Sequence, residues 1–297
     1  MKSKARSLDT RSERVFYFSN GLLLTLFLLL TLYPILCLIS GAISEPVAVY
    51  TGKVTFYPIG FNLRGFELNL QNANVLRGFV NSLFYTVVGT ALNVVVTLIT
   101  AYALSRRELP GRTGISFFMA FTMWFGGGII PFFLLVRDLG LLNSRWSLLI
   151  TGLMSVWNVV VCRTYITSTV PDEMFEAASI DGCGYFRFFA VMVLPLSKAI
   201  IAVLTLWYAI GHWNSYFHAL IFISDKSKQP LQLLLRSMLV TDLTMDLSGI
   251  DVETESLGVQ ELMRNSLILI ACLPLWILYP FVQRFFVKGV MIGSVKG

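Results

Sequence analysis

Long apolar runs alternate with polar segments along the whole 297-residue chain. Each run reaches the roughly 20 residues that an α-helix needs to cross the hydrocarbon core of a bilayer. The pattern predicts an all-α integral membrane protein with a single transmembrane domain over residues 1–297. Its six predicted spans cover residues 16–39, 79–104, 115–136, 146–166, 191–223 and 267–287.

The first apolar run follows a basic N-terminal segment that contains Lys2, Lys4, Arg6, Arg11 and Arg14. The apolar part of a secretory signal peptide has only about 7–15 residues, and this run is longer. Basic residues beside a first span favour the cytoplasmic side. We therefore expect a retained span with a cytoplasmic N-terminus, and with six spans the C-terminus lies on the same side.

Two of the predicted spans carry residues that interrupt a straight helix. In the third span a glycine triplet at 126–128 precedes Pro131, so we expect this span to be kinked or partly unwound. The fifth span is long enough to include an in-plane approach segment before Pro195. Residues 40–78 and 224–263 are mixed in polarity and are predicted to be external.

A polar interruption at residues 171–184, between the fourth and fifth spans, carries helix signals of its own. Pro171 suits a helix start, because its missing N–H would be unpaired there. Asp172 and Glu173 follow where the helix dipole favours carboxylates, and Gly182 can end the helix. Two adjacent alanines in the middle leave little side-chain bulk. The segment is predicted to be a short helix, which either docks a partner or lies inert in a loop.

The composition favours a membrane protein over a nucleic-acid-binding one. Hydrophobic residues make up 56% of the chain and charged residues 13%, about half the charged share of a soluble domain. The net charge of +6 comes from basic residues scattered at the ends of apolar runs, which is typical of topology signals. The four cysteines share no metal-binding or redox spacing. We predict no metal site and no nucleic-acid partner.

Several kinds of chemistry are absent from the sequence. It contains no phosphate-binding loop, so this chain is not expected to bind ATP, and it contains no catalytic or metalloprotease motif. None of the six predicted spans contains an aspartate or glutamate, the groups that proton- or sodium-driven carriers usually need. We predict no catalytic residue, no cofactor held by this chain, and an energy source on another subunit.

A few polar side chains within the spans are candidates for a translocation path. His212, Asn214 and Tyr216 crowd one part of the fifth span, and Asn158 lies in the fourth. Aromatic rings beside hydroxyl-binding groups suit a sugar path. Single polar residues in membrane helices more often join helices to one another. Both interpretations stay open, and the spacing does not place all of these side chains on one face.

The polar interruption also carries a spaced motif. Glu176-Ala177-Ala178 is followed after three residues by Gly182, and after nine more by Met192, one residue and Leu194-Pro195. This order resembles the EAA signature of ABC importer permeases, with Met192 where isoleucine is usual. The resemblance implies a type I ABC importer permease fold in which residues 171–184 form a cytoplasmic coupling helix. The residues expected to contact the ATPase subunit are Glu176, Ala177, Ala178, Asp181 and Gly182.

The C-terminal sequence extends the resemblance. Residues 289–297 are similar to the tail of maltose-type, binding-protein-dependent sugar permeases, which reaches between two ATPase subunits. The tail residues with this implied role are Gly293, Val295, Lys296 and Gly297. The run from the glycine triplet to residue 144 resembles permeases for oligosaccharides of complex polysaccharides such as alginate.

The resemblance implies a permease subunit of an ATP-driven importer that takes a carbohydrate from an external solute-binding protein into the cytoplasm. The implied partners are a second similar permease and two ATP-binding subunits that carry ATP and Mg²⁺. The implied location is the bacterial cytoplasmic (inner) membrane, with both termini in the cytoplasm. Two alternatives stay open: a permease of the same fold for an amino acid or ion, and a scaffold or sensor subunit without transport.

Overall fold

The computed structural model describes residues 11–248 and 254–294, which form helices and connecting loops without a β-strand. The helices are α1 Arg11–Ala42, α2 Pro46–Tyr50, α3 Arg64–Gln71, α4 Ala73–Ser105, α5 Arg112–Trp124, α6 Ile129–Asp138, α7 Arg145–Ile150, α8 Val156–Thr169, α9 Asp172–Ile180, α10 Tyr185–Phe188, α11 Leu194–Leu196, α12 Lys198–Trp213, α13 Phe217–Phe222, α14 Leu231–Ser248 and α15 Thr254–Ser294. The predicted all-α class is confirmed for this part of the chain.

The helices provide three to five candidate spans. Arg11–Ala42, Ala73–Ser105 and Glu255–Pro280 are each long and apolar enough to cross a membrane. Two bent helix pairs, α5 with α6 and Tyr185–Leu196 with α12, raise the number to five if each pair is one span. These counts rest on length and composition within the described residues. The number of six spans stays a prediction.

The third predicted span is broken where the sequence indicated. Helices α5 and α6 meet at an angle of 117°, and residues 125–128 between them are not helical. Each glycine of the triplet lacks the side chain that would restrict its backbone, so the chain can leave the helix there. The predicted interruption is confirmed, and it is sharper than a kink.

The fourth predicted span differs from a single helix. Helix α7 ends at Ile150, and α8 begins only at Val156. The hydroxyl of Ser155 accepts a hydrogen bond from the backbone N–H of Asn158 at 3.5 Å, which caps the start of α8. Helix α8 has 14 residues, fewer than the roughly 20 that a perpendicular span needs.

The fifth predicted span consists of several helical pieces. Helices α10 and α11 are joined by a π-helical turn, Phe189–Val193, and the resulting segment meets α12 at 81°. Since Pro195 has no N–H to donate, it cannot complete a regular helical ladder at this point. The bend at Ser197 lies two residues after Pro195 and separates a leading segment from α12.

The chain divides into two compact units, each described here by itself. The described part of the first unit consists of residues 11–71, 244–248 and 254–270. In it, the side-chain amide of Asn69 on α3 donates to the Met263 carbonyl and to the Ser266 hydroxyl of α15, both at 2.8 Å. The apolar stretch of α1 is exposed, as expected for a helix that faces lipid or another subunit.

The second unit comprises residues 72–243 and the chain from residue 271 onward. Its core forms where α4 packs against α8 and α12. The largest buried cluster is made of Leu98, Ala101, Tyr102, Leu104, Val159, Cys162, Ile166, Val170, Phe188, Phe189, Val193, Ile200, Leu204 and Tyr208. This core ends at the C-terminus of α4, directly beside α9.

Candidate functional site

Helix α9 lies in the polar interruption, and local sequence defines both of its ends. Pro171 precedes it in an extended conformation, and Asp172 and Glu173 occupy its first turn. The helix ends at Ile180, and Gly182 follows with a φ of 76°. A side chain is strained in that left-handed conformation, so a glycine there allows the chain to reverse.

The inner face of α9 is attached to the core of the second unit. Met174, Phe175 and Ala178 pack against the buried cluster. The Phe175 ring stacks on Tyr185 with centroids 4.6 Å apart and meets Phe188 edge-on at 5.1 Å. Aromatic pairs of this geometry contribute about 0.5–1.5 kcal/mol beyond their buried area. The helix is therefore held against the protein on one side.

A buried arginine joins α9 to the end of α4. The side chain of Arg106 is only 5% exposed, and its Nη1 lies 3.7 Å from Oδ1 of Asp172. Its guanidinium also lies over the ring of Tyr102 at 5.3 Å and over that of Phe175 at 5.8 Å. The neighbouring Arg107 makes a shorter contact with Asp172, at 3.0 Å, but is 78% exposed. Solvent weakens the exposed pair, so the buried arginine is the stronger anchor.

The outer face of α9 is free of contacts with the described chain's core. Glu176, Ala177, Ile180 and Asp181 are exposed there, and Ile180 is among the most exposed large apolar side chains. Just beyond the turn, the ring of Phe186 is exposed in the same way. An exposed apolar side chain between carboxylates suits a protein partner with a cleft that is apolar at its base and basic at its rim.

The predicted coupling residues are thus divided between the two faces. Glu176, Ala177, Asp181 and Gly182 are exposed, whereas Ala178 is partly buried against the chain's own core. The role of these residues in coupling stays a prediction. Among the predicted tail residues, Gly293 lies within α15, and Val295, Lys296 and Gly297 lie outside the described residues.

The four predicted path residues are not brought together. Asn158 is buried on α8, and Asn214 is exposed just after α12 ends. Tyr216 is exposed, with the guanidinium of Arg236 at 5.8 Å from its ring. The imidazole of His212 packs on α4 instead. No hydrogen bond between any two of these four side chains occurs in the described structure, and their role stays a prediction.

Two features were not found by sequence reasoning. The first is Arg106, which lies in a short basic segment that resembles a topology signal. Its burial depends on Asp172, which is distant in sequence, and no local pattern indicates that contact. The second is a polar face on α4, formed by Ser82, Thr86, Thr90, Asn93 and Thr97. Their spacing of three and four residues was a usable signal for one helix face.

An open cleft of about 490 Å³ lies beside the break between α5 and α6. It is lined by Gly126, Gly127, Gly128, Ile129, Pro131, Phe132, Leu135, Phe217, His218 and Ile221. The lining is mainly apolar. Among the described residues, no group of three or more histidine, cysteine, aspartate or glutamate side chains is placed to hold a metal ion.

Comparisons with known proteins agree with this arrangement. Residues 73–292 match the model of a family described as "Binding-protein-dependent transport system inner membrane component". The chain is 34% identical over 274 residues to the polygalacturonan/rhamnogalacturonan transport system permease protein YtcP of Bacillus subtilis (strain 168), covering 92% of this chain and 96% of that protein. It is 36% identical over 290 residues to Protein LplC of the same organism, covering 97% of each.

A solved structure has the same fold. The crystal structure of a bacterial ABC transporter involved in the import of the acidic polysaccharide alginate contains a chain that aligns with a TM-score of 0.85. The two chains are 34% identical, and the alignment covers 94% of this chain and 99% of the other. The predicted resemblance to ABC importer permeases is confirmed. The chain belongs to the family of inner membrane components of binding-protein-dependent transport systems.

Proposed function

We propose that this protein is the permease subunit of an ATP-driven importer that moves an oligosaccharide into the cytoplasm. The observation that carries the proposal is the 34% identity, over nearly the whole chain, to a polygalacturonan/rhamnogalacturonan transport permease. The same identity to a chain of an alginate importer supports it. Both of those polysaccharides are acidic, so we propose oligosaccharides that contain uronic acids as the first cargo to test.

Helix α9 is proposed to be the coupling helix, seated in a cleft of a separate ATP-binding subunit. Its exposed outer face, with Glu176, Ala177 and Asp181, is available to a partner. Its inner face is attached to the core through Phe175 and Arg106. A lever must be stiff at its attachment if movement of the ATPase subunit is to reach the spans. The contacts of the inner face supply that stiffness.

The complete importer is proposed to contain a second similar permease, two ATP-binding subunits with ATP and Mg²⁺, and an extracytoplasmic solute-binding protein. Both termini are proposed to be cytoplasmic, with residues 289–297 reaching between the ATP-binding subunits. The apolar surface of α1, exposed in this chain, is available to lipid or to the second permease. The bent pairs and the interrupted 146–166 segment would complete six crossings.

Uptake into proteoliposomes tests the proposal. The importer is assembled with its partner subunits, ATP is enclosed or added on the ATPase side, and labelled oligogalacturonate or maltodextrin is supplied with the binding protein. We expect ATP-dependent accumulation of the acidic oligosaccharide. Accumulation of maltodextrin alone would replace the acidic cargo with a neutral one. No accumulation of either sugar, with ATPase activity intact, would contradict the proposed function.

A charge reversal on α9 tests the coupling role in the same vesicles. Glu176 and Glu108 are both exposed glutamates, but only Glu176 lies on the outer face of α9. We expect Glu176→Lys to abolish ATP-driven uptake and Glu108→Lys to retain it. Gly182→Asp is expected to abolish uptake as well, because it changes both the turn and the charge of the docking face. Full uptake by inserted Glu176→Lys protein would remove the coupling role from α9.

A further inference from the structure

The middle of α4 presents buried polar atoms that the chain does not pair. Thr86, Thr90 and Asn93 are 8%, 6% and 2% exposed, and they share the face of α4 that carries Gly89. Among the described residues, the two threonine hydroxyls and the Oδ1 atom of Asn93 have no hydrogen-bond partner. Burial of an unpaired polar group is unfavourable, and in hydrocarbon no water compensates for it.

A histidine covers this polar face. A methyl group added at Gly89 would lie 2.5 Å from both Cε1 and Nε2 of His212, so the imidazole rests directly on the backbone of α4. The Nε2 atom of His212 is also buried without a partner in the described structure. Two helices approach this closely only where one of them lacks a side chain. Four unpaired polar atoms are therefore gathered around one glycine.

The unpaired state of these threonines is not a general property of the chain. Thr25, Thr164 and Thr205 each donate to the backbone carbonyl four residues earlier, at 2.8, 2.9 and 2.7 Å. That internal bond is the usual resource of a threonine in a membrane helix. Thr86 and Thr90 do not use it, so their hydroxyls remain available to another group.

The same polar face of α4 is paired on both sides of this region. Toward the N-terminus, the hydroxyl of Ser82 accepts from the backbone N–H of Leu231 at 2.9 Å. Toward the C-terminus, the hydroxyls of Thr97 and Tyr208 share a hydrogen bond of 2.7 Å. The unpaired atoms are confined to the centre. Gly89 is the middle residue of α4, about 24 Å from either end at 1.5 Å per residue, the depth at which transporters hold their substrates.

We propose that Thr86, Thr90, Asn93 and His212 form a binding site for the hydroxyl groups of the transported sugar. In the conformation described here the imidazole of His212 covers the site, and the site opens when the ring leaves Gly89. Threonine hydroxyls donate and accept, the amide oxygen of Asn93 accepts, and sugar hydroxyls do both. The site rests on the proposed function and deepens it, because it places the cargo against this subunit at half the depth of the membrane.

Cysteine labelling tests whether the site opens and whether sugar enters it. The importer, assembled with its partners in nanodiscs, carries either Thr90→Cys or the matched Thr97→Cys, two positions on the same face of α4. A membrane-impermeant methanethiosulfonate is added without nucleotide, with ATP and vanadate, and with ATP, vanadate and oligogalacturonate. Mass spectrometry of the α4 peptide reports the label, and the four native cysteines serve as internal references.

We expect Thr90→Cys to be labelled in one nucleotide state, to be protected by the oligosaccharide, and to be labelled more than Thr97→Cys throughout. Absence of labelling of Thr90→Cys in every state would overturn the opening. Labelling that the oligosaccharide does not reduce would identify a water-filled gap and overturn the sugar site.

Substitution by valine separates binding from helix packing. Thr90→Val removes an unpaired hydroxyl, so we expect equal or higher thermal stability together with a three- to ten-fold loss of uptake rate, about that of one hydrogen bond. Thr97→Val breaks the bond with Tyr208 and is expected to lower thermal stability. If Thr90→Val lowers stability and keeps the uptake rate, the threonine is packing and the site is absent.

These outcomes distinguish the site from the proposed function. Normal uptake by the wild-type importer, with unprotected Thr90→Cys and active Thr90→Val, would reject the site and leave the importer intact. Failure of the wild-type importer to accumulate any oligosaccharide would reject the cargo class, and the sugar site with it.

Discussion

The two ends of α4 are both tied to distant parts of the chain, but by different chemistry. At its N-terminal end the side-chain amide of Asn81 donates to the carbonyls of Ser227 and Gln229, at 2.8 and 3.1 Å, and the hydroxyl of Tyr85 donates to the Lys228 carbonyl at 2.8 Å. At its C-terminal end, Arg106 reaches α9 through an ion pair and aromatic faces.

This difference separates a fixed end from a movable one. Neutral hydrogen bonds to backbone carbonyls depend on direction and are lost when the atoms shift by a fraction of an ångström. An arginine over aromatic rings keeps most of its interaction when the rings slide beneath it. We infer that the N-terminal end of α4 fixes its position, while the C-terminal end follows α9.

The largest expected effect is at the movable end. Arg106→Met removes a buried charge and leaves Asp172 with the exposed Arg107. We expect a loss of about 2–3 kcal/mol in the free energy of unfolding, near the lower limit for a broken buried pair because Asp172 is partly exposed. Titration with a denaturing detergent measures the loss, and ATP-driven uptake is expected to fall with it.

The matched control is Arg107→Ala at the same carboxylate. Its contact is shorter, at 3.0 Å, but solvent surrounds it, so we expect a change of at most about 1 kcal/mol and normal uptake. Equal losses in the two variants would show that burial gives Arg106 no advantage, and the contrast between the ends of α4 would no longer stand.

A smaller loss is expected at the fixed end. Asn81→Ala leaves two backbone carbonyls without their donor, and it removes the acceptor for Arg145, whose Nη2 lies 3.3 Å from Oδ1 of Asn81. We expect unfolding to become easier by about 1–2 kcal/mol. Asn74→Ala, at an exposed position of the same helix, is the control and should be close to neutral. A neutral Asn81→Ala would make the N-terminal attachment unimportant.

The start of α4 offers a third measurement. The side chain of Asn72 accepts from the backbone N–H of Asn74 at 2.9 Å and caps the helix. Its replacement by alanine is expected to cost about 1 kcal/mol, whereas serine or aspartate should retain the cap. The same detergent titration applies. Equal stability of the alanine and serine variants would mean that other contacts, not the cap, hold this end.

The smallest expected effect is a pH dependence beside the fixed end. Hydrogen bonds from the hydroxyl and backbone N–H of Ser227 lower the pKa of the Asp225 carboxyl below its ordinary value. Because the folded pKa is the lower one, the stabilisation is complete above the unfolded pKa. It is lost as the pH falls through the folded pKa. The melting temperature of wild type should therefore decrease in acid by slightly more than that of Asp225→Asn, and parallel curves would contradict this.

Much of the helical pattern was readable from local sequence. The break at the glycine triplet and the short helix after Pro171 follow from backbone preferences that act within a few residues. The interruption of the 146–166 run was missed. The cap formed by Ser155 competes there with a continuous apolar pattern, and hydropathy does not register a single hydroxyl.

The contacts that define the candidate sites depend on residues far apart in the chain. Arg106 meets Asp172, and His212 covers Gly89, only after the helices pack. Periodicity predicts which face of a helix is buried but not what lies against it. The polar residues of α4 show the limit clearly: their spacing marks one face, whereas the absence of partners for Thr86 and Thr90 is visible only in the structure.

The π-helical turn at Phe189–Val193 gives the segment after α9 an adjustable register. A π-turn holds one more residue than the α-helical turn it replaces, so deletion of a single residue there would rewind the segment as regular helix. Every residue between the deletion and the bend would then rotate by about 100° relative to α9. We expect such a deletion to leave the helices formed and the docking face folded, yet to disconnect the two, much as a gear keeps its teeth after slipping on its shaft.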